Sequence, residues 1–241
     1  MRLLGKEKGR EFWGIFWVGI IFSSFLATAS MAQEKGILWV DRFSNGVDER
    51  RIPVGWILEK TPGSRSKIAV KGENGNHFLH LLSVEDAFGL RKDISFDIRK
   101  YPYLSWRWKV SKLPREGDIQ KRETDDEAGQ IYVLFPKLPA IFNTLAMGYI
   151  WDNQALVGLS GTSPAYSKMR YVVLESGAAK MNQWISETRN VYEDFKKLFH
   201  EEPPTVGGVL LYINSQHTRS SAECFYGNIF FSVNPPDPPG R

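Results

Sequence analysis

The chain has 241 residues, of which 31 are Lys or Arg, 27 are Asp or Glu and one is Cys, for a formal net charge of +4. Four basic groups (Arg2, Lys6, Lys8, Arg10) and two acidic ones (Glu7, Glu11) fall within residues 1–32, so residues 33–241 hold 27 basic against 25 acidic side chains. So small an excess, with no Lys/Arg block interleaved with aromatics, argues against a nucleic-acid partner, and a single cysteine rules out an intramolecular disulfide.

The N-terminus reads as an export signal. Lys6, Lys8 and Arg10 form a positive flank, Phe12 to Leu26 an uncharged and mostly apolar run, and Ala27-Thr-Ala-Ser-Met-Ala32 a segment of small residues. Ser30 and Ala32 fit a signal-peptide cleavage site before Gln33, and Ala27 with Ala29 is a second candidate. Left uncleaved, the same stretch is long enough to anchor in a bilayer. In either case the basic flank stays cytoplasmic and the rest is exported, to the periplasm or the medium. Residues 33–234 are expected to form one domain, and Pro235-Pro-Asp-Pro-Pro239 begins a tail (235–241) that cannot join a sheet ladder.

Ile37 to Phe43 predicts the first strand, turned by Ser44-Asn-Gly46. Lys67 to Lys71 alternates polar and apolar residues, and His77 to Leu82 returns across Asn74-Gly75, the dipeptide of a tight hairpin. Leu104-Ser-Trp-Arg-Trp-Lys-Val110 puts Leu104, Trp106, Trp108 and Val110 on one face and Ser105, Arg107 and Lys109 on the other. Gly129 to Phe135 is apolar on both faces, and the two stretches predict central strands of one buried sheet. Between them, Ser111 to Ala128 predicts a polar loop of a length that is usually functional or mobile, ending in Asp125, Asp126 and Glu127.

Met147 to Asp152, Met169 to Leu174, Val206 to Ile213 and Cys224 to Phe231 predict further strands, and Gly158 to Ser167 a loop. Ser186 to Phe199 predicts the one amphipathic helix: Val191, Phe195, Leu198 and Phe199 form a single apolar stripe. Ser186 is its expected N-cap, and Pro203-Pro204 stops it. About ten short strands separated by turn signals, with one helix, predict a mainly β chain folded as a jelly-roll β-sandwich, the helix (about 186–199) lying across one end.

In chain order, Leu104 to Val110, the Asp125-Asp126 pair before Ile131 to Phe135, Arg189-Asn-Val191, Phe199-His-Glu-Glu-Pro-Pro204 and Tyr226-Gly-Asn-Ile-Phe230 resemble the bacterial family catalogued as domain of unknown function 3047. The resemblance covers nearly all of residues 37–233. It implies an exported protein with a galactose-binding-like β-sandwich and no established activity. Where that family shows an acidic Asp-Ser-Asp-Asn-Thr run, this chain has Asn214-Ser-Gln-His-Thr218, and the family's Tyr-Gly-Asp-Ile is here Tyr226-Gly-Asn-Ile229. Amides in place of carboxylates weaken a Ca²⁺ site at that position, so no metal and no other cofactor is expected.

No zinc spacing links His77, His80, His200 and His217, and no nucleophile elbow, Walker loop or dinucleotide fingerprint occurs. Cys224, inside an apolar run, is expected to be a buried thiol. Asp125, Asp126 and Glu127 are the strongest acidic cluster, fit either to grip a polar ligand or to pair with Arg107, Lys109 or the basic loop residues of a neighbouring strand. Of the aromatics that could stack on a sugar (Trp106, Trp108, Trp151, Trp184), the first two read as core, and Trp151, beside Asp152 at a strand end, reads as a surface residue. Arg107, Asp125, Asp126, Trp151 and Asp152 therefore define the expected ligand site, at one sheet edge.

The expected function is that of an exported, non-catalytic module binding a glycan or another cell-envelope component, by analogy of fold. One alternative is a polysaccharide-acting hydrolase using Asp126 and Glu175 as acid and base. Another is a structural or assembly protein of the envelope. Membrane contact follows only if the leader is retained, and the sequence sets no oligomeric state. N-terminal sequencing of the exported protein is expected to begin at Gln33; a chain that begins at Met1 would mean that the segment is kept.

Overall fold

The structure, a computed structural model, describes residues 36–236. The leader expected at 1–32 and the end of the Pro-rich tail, 237–241, lie outside the described residues. In chain order the strands are β1 (Ile37–Asp41), β2 (Ile57–Leu58), β3 (Lys67–Glu73), β4 (Asn76–Val84), β5 (Ala87–Phe96), β6 (Tyr103–Lys112), β7 (Gly129–Pro136), β8 (Thr144–Asp152), β9 (Ser160–Thr162), β10 (Met169–Ser176), β11 (Ile185–Asn190), β12 (Val206–Asn214) and β13 (Ser221–Ser232). A four-residue helix, α1 (Ala140–Asn143), precedes β8, and α2 (Val191–Phe199) follows β11. Strand takes 50% of the described residues and helix far less, so the expected mainly β class holds.

The strands form two sheets. The first runs β11-β6-β13-β4-β3, with β1 beside the far half of β13; the second runs β2-β5-β12-β7-β8-β10-β9. Every pairing is antiparallel except β8 with β10. The alternation read from the sequence explains which side of each strand faces in. Leu104, Trp106, Trp108 and Val110 of β6 and Tyr226, Ile229 and Phe231 of β13 meet Ile131, Val133 and Phe135 of β7 and Val209, Leu211 and Ile213 of β12 in one continuous core. Burying each such side chain contributes about 1.5–3 kcal/mol. Cys224 lies in the same core, where burial pushes its thiol up and keeps it protonated and unreactive.

Two sequence expectations change. Strands β6 and β7 do not share a sheet: β6 pairs with β11 and β13, and β7 with β8 and β12. They face each other across the core, and Trp108 fits over the bare backbone of Gly129, where a Cβ would lie 3.2 Å from Cε3 of the indole. Alternation reveals the buried side of a strand and not its neighbours, which is why the two read alike. The helix also starts later than expected. Residues 185–190 form β11, with Ser186 opposite Arg107, and Ile185, Glu187 and Arg189 in register with Trp108, Trp106 and Leu104. The N-cap is Asn190, whose side chain accepts a hydrogen bond from the Glu193 amide at 3.1 Å. The apolar stripe is as read, with Phe195 stacked on Phe199 (4.3 Å) and tilted against Phe135 (4.5 Å).

The second sheet is covered on both sides. Its outer face, with Tyr132, Leu134, Ile150, Tyr171 and Leu210, packs under Ile119 from the loop 113–128 and under Ala155, Leu159 and Tyr166 from the segments on either side of β9. Among the described residues the first sheet carries no such apolar cover. Its β3–β4 hairpin closes through Asn74 and Gly75, both at positive φ (50° and 77°), the conformation that a two-residue hairpin turn needs.

Trp108→Ala is expected to cost about 3–5 kcal/mol, as large-to-small changes of buried aromatics do. Urea unfolding measures it, and a loss below about 1 kcal/mol would show that the indole does not carry the contact between the sheets.

Candidate functional site

The acidic cluster marks the junction of three loops. Asp126 is completely buried (0% exposed). Its Oδ2 accepts from the Thr218 amide and hydroxyl, both at 2.7 Å, and its Oδ1 accepts from the His217 amide at 3.2 Å and lies 3.1 Å from His217 Nδ1. Burial pushes this carboxyl up, but the bonds from His217 and Thr218 outweigh it and hold Asp126 below its usual range. The same contact raises His217. Asn214 completes the fastening: its Oδ1 accepts from the Glu127 amide (2.7 Å) and from Gln130 Nε2 (2.8 Å), while its Nδ2 donates to the Asp125 carbonyl. An amide can both donate and accept, whereas a carboxylate at 214 could not donate to that carbonyl, which also lies 3.1 Å from His217 Nδ1.

Asp152 holds the other side of the junction by accepting from the amides of Ile119 (2.9 Å), Gln154 (2.6 Å) and Ala155 (2.6 Å). Asp125 and Glu127 lie beneath, 7% and 1% exposed. Burial pushes Asp125 up to about 6, and burial followed by the charges of Asp125 and Asp152 holds Glu127 well above its usual range. Glu127 Oε1 has no hydrogen-bond partner among the described residues. Gly117 is required in the covering loop, since a Cβ there would sit 2.1 Å from the Asp126 carbonyl oxygen.

The remaining expected site residues do not join this cluster. Trp151 is fully buried (0% exposed), its ring 5.7 Å from Trp108 and its Nε1 donating to the Gly177 carbonyl at 3.3 Å. It is core rather than a surface aromatic, because β8 is an interior strand and Trp151 takes its inward parity. Arg107 is exposed on the outer face of the first sheet, whereas Asp125 and Asp126 precede β7 of the second. The pairing of Arg107 or Lys109 with that cluster fails because β6 and β7 are not neighbours. Glu175 bonds Lys180 Nζ at 2.6 Å and Asp126 bonds the 217–218 turn, so different elements hold the two carboxylates, both buried.

A different group of residues forms a recess of about 250 Å³ on the outer face of the first sheet. Its walls are Trp184, from the segment before β11, and Phe78 of β4, their rings 5.5 Å apart and edge to face. Phe225 of β13 packs against Phe78 at 5.9 Å and is stacked on His80 at 4.5 Å. The Arg107 guanidinium stands 5.2 Å over Trp184, and Asn74, Asn76 and Asn228 supply amides at the rim. The floor is Gly227, in the bulge between Tyr226 and Ile229. A Cβ there would lie 3.4 Å from Arg107 Cβ and 3.7 Å from Trp184 Cζ3, so a larger side chain would fill the recess. Of these residues the sequence pointed to Arg107 and Trp184. Phe78, Gly227 and Asn228 carry no local signal, and Trp184, directly after Lys180-Met-Asn-Gln183, is the best available hint.

Residues 55–230 match the family described as a protein of unknown function, DUF3047. The chain belongs to that family. The DUF3047 match takes in the recess, the acidic junction and α2, as the resemblance read from the motifs implied. No curated protein matches this DUF3047 chain. Among solved structures it is similar to the family 11 carbohydrate-binding module of a cellulosomal cellulase of Clostridium thermocellum, at 10% identity over 82% of this chain and 94% of that one, with a TM-score of 0.43. A family 30 carbohydrate-binding module gives 10% identity over 85% and 91%, with a TM-score of 0.45. The Endo-D glycoside hydrolase domain of Streptococcus pneumoniae R6 gives 11% over 74% and 22%, with a TM-score of 0.38.

The buried pair gives a pH signature. A carboxyl raised by folding contributes stability below its unfolded value and loses it as pH climbs through the folded one, here from 3.8 to about 6 for Asp125. Asp125→Asn, neutral throughout, is therefore expected to melt above the wild type at pH above about 6 and to lose that advantage near pH 4. Thermal melts across this range test it; parallel curves would show that Asp125 ionises as an exposed group does.

Proposed function

We propose that the protein is an exported, glycan-binding β-sandwich whose site is the recess between Trp184, Phe78 and Arg107. One observation carries this reading. Two aromatic walls stand beside three side-chain amides and a guanidinium over a bare glycine backbone, on a face left open among the described residues. A sugar ring presents an apolar C–H face and a rim of hydroxyls. An aromatic ring packs on the first, and amides and guanidinium bond the second. Binding sites in general combine a mostly apolar concavity with a few convergent polar groups.

Binding without turnover fits the same geometry. Glycoside hydrolysis by acid and base needs two facing carboxylates, and among the described residues the recess is lined by one, Glu73. The positive flank, apolar run and small-residue site at the N-terminus support export of the domain.

Trp184→Ala and Gly227→Leu are each expected to weaken glycan binding at least about tenfold, about 1.4 kcal/mol, one by removing a wall and the other by filling the floor. Affinity electrophoresis against neutral and acidic envelope polysaccharides reads the effect, with thermal melts confirming that both variants fold. Full binding by both would remove the recess as the site.

A further inference from the structure

Resting on the glycan reading of the recess, we infer that its ligand is an acidic polysaccharide, one that carries carboxylates as uronic-acid units do. The observation is a set of cations laid out by the sheet itself. Lys67 and Lys71 of β3 and Arg107 and Lys109 of β6 all have the parity that faces outward. Register aligns them across the sheet: Lys71 is opposite Phe78, and Lys109 is opposite Phe225, which is opposite His80. Lys71 and Lys109 stand 5.7 Å and 4.4 Å from the Phe225 centroid, and Lys109 and Arg107 are both 5.2 Å from that of Trp184.

Among the described residues none of these four cations has a carboxylate partner, whereas Lys60, Lys92, Lys137 and Lys180 on other surfaces each do. A ring face positions a cation without using its N–H donors, so those donors remain free toward solvent. Two acids share this face with the four cations. Burial pushes Glu223 up, but its bonds to Ser111 and His80, with the charge of Lys71 among the further causes, hold it below its usual range, so the cations are offset only in part. Glu223 is bonded to His80 (2.6 Å) and Ser111 (2.5 Å), and Glu73 stands at the rim of the recess. Strands lie about 4.8 Å apart, so β3 and β6, three ladders apart with β4 and β13 between them, flank a strip about 14 Å wide. A chain lying in the recess along that strip has cations on both sides. Carboxylates there would gain charge-assisted bonds, bidentate at Arg107, and a neutral glycan would gain none of these.

The test compares polygalacturonate and alginate with fully methyl-esterified polygalacturonate, which keeps the backbone and loses the charge, and with a neutral mixed-linkage β-glucan. The intact protein, Trp184→Ala and the double variant Lys71→Gln/Lys109→Gln are measured by biolayer interferometry at low and high salt. The expected result is at least about tenfold tighter binding of an acidic polymer than of the ester, weakened by salt. That preference would fall with the lysine pair, and binding would fall with Trp184→Ala. Equal binding of acid, ester and β-glucan, still sensitive to Trp184→Ala, would overturn the inference and leave the glycan reading standing. Acid binding that ignores Trp184→Ala would overturn it as well, by placing the charge effect outside the recess. Binding of no polymer would overturn both.

Discussion

The indole of Trp108 occupies the space between the two sheets, 5.5 Å from Trp106 on its own strand, 5.7 Å from Trp151 on the facing sheet, and against the backbone of Gly129. Packed sheets stand about 10 Å apart, and two large rings directly opposed would not fit without a residue that gives way. Gly129 is that residue. Tyr149 continues the stack at 5.4 Å from Trp106, so four aromatic side chains from both sheets set the spacing of the sandwich. Their inward parity has an outward consequence. Once Trp106 and Trp108 point into the core, Arg107 and Lys109 must point away from it. The charge of the open face is thus fixed by the same alternation that fills the interior.

The two outer faces have opposite fates. On the second sheet, the loop 113–128 and the segments flanking β9 lay Ile119, Ala155 and Tyr166 over a second apolar layer. Buried polar side chains make that cover possible: Asp152 and Asn214 satisfy backbone groups of these segments that would otherwise be buried without partners, and Asp126 fastens the end of the first segment to the 217–218 turn. On the first sheet, β13 bulges at Gly227 and Asn228 beneath Trp184, leaving a concavity instead of a lid. One face is closed by carboxylates turned inward, and the other stays open with cations turned outward.

Much of this was legible from the chain alone. The alternation in Leu104 to Val110, the Asn74-Gly75 turn, the stripe from Val191 to Phe199 and the inert Cys224 are local patterns, and local patterns survive folding. What failed was pairing. Nothing local tells β6 that its partners are β11 and β13, and so the acids before β7 were matched with the wrong cations. Ser186 looked like a cap because a helical stripe follows it; the free edge of β6 claimed residues 185–190 first. Trp151 looked exposed because it stands near a strand end, yet β7 and β10 flank it on both sides. The recess was illegible as a unit, since Phe78, Arg107, Trp184 and Gly227 come from four separate segments that only the register of the sheet brings together.

The turn at Asn74 and Gly75 bears on how the recess would meet a partner. Asn74 stands at the rim on a two-residue connection whose dihedrals the paired strands dictate, and on the far side the Asn182 amide ties the segment carrying Trp184 to the Val110 carbonyl at 2.8 Å. Neither rim has a long free loop to immobilise. A ligand settling there surrenders its own freedom and little of the protein's, which keeps the entropic toll of association low and leaves encounter, rather than rearrangement of the rim, to set how fast the complex forms.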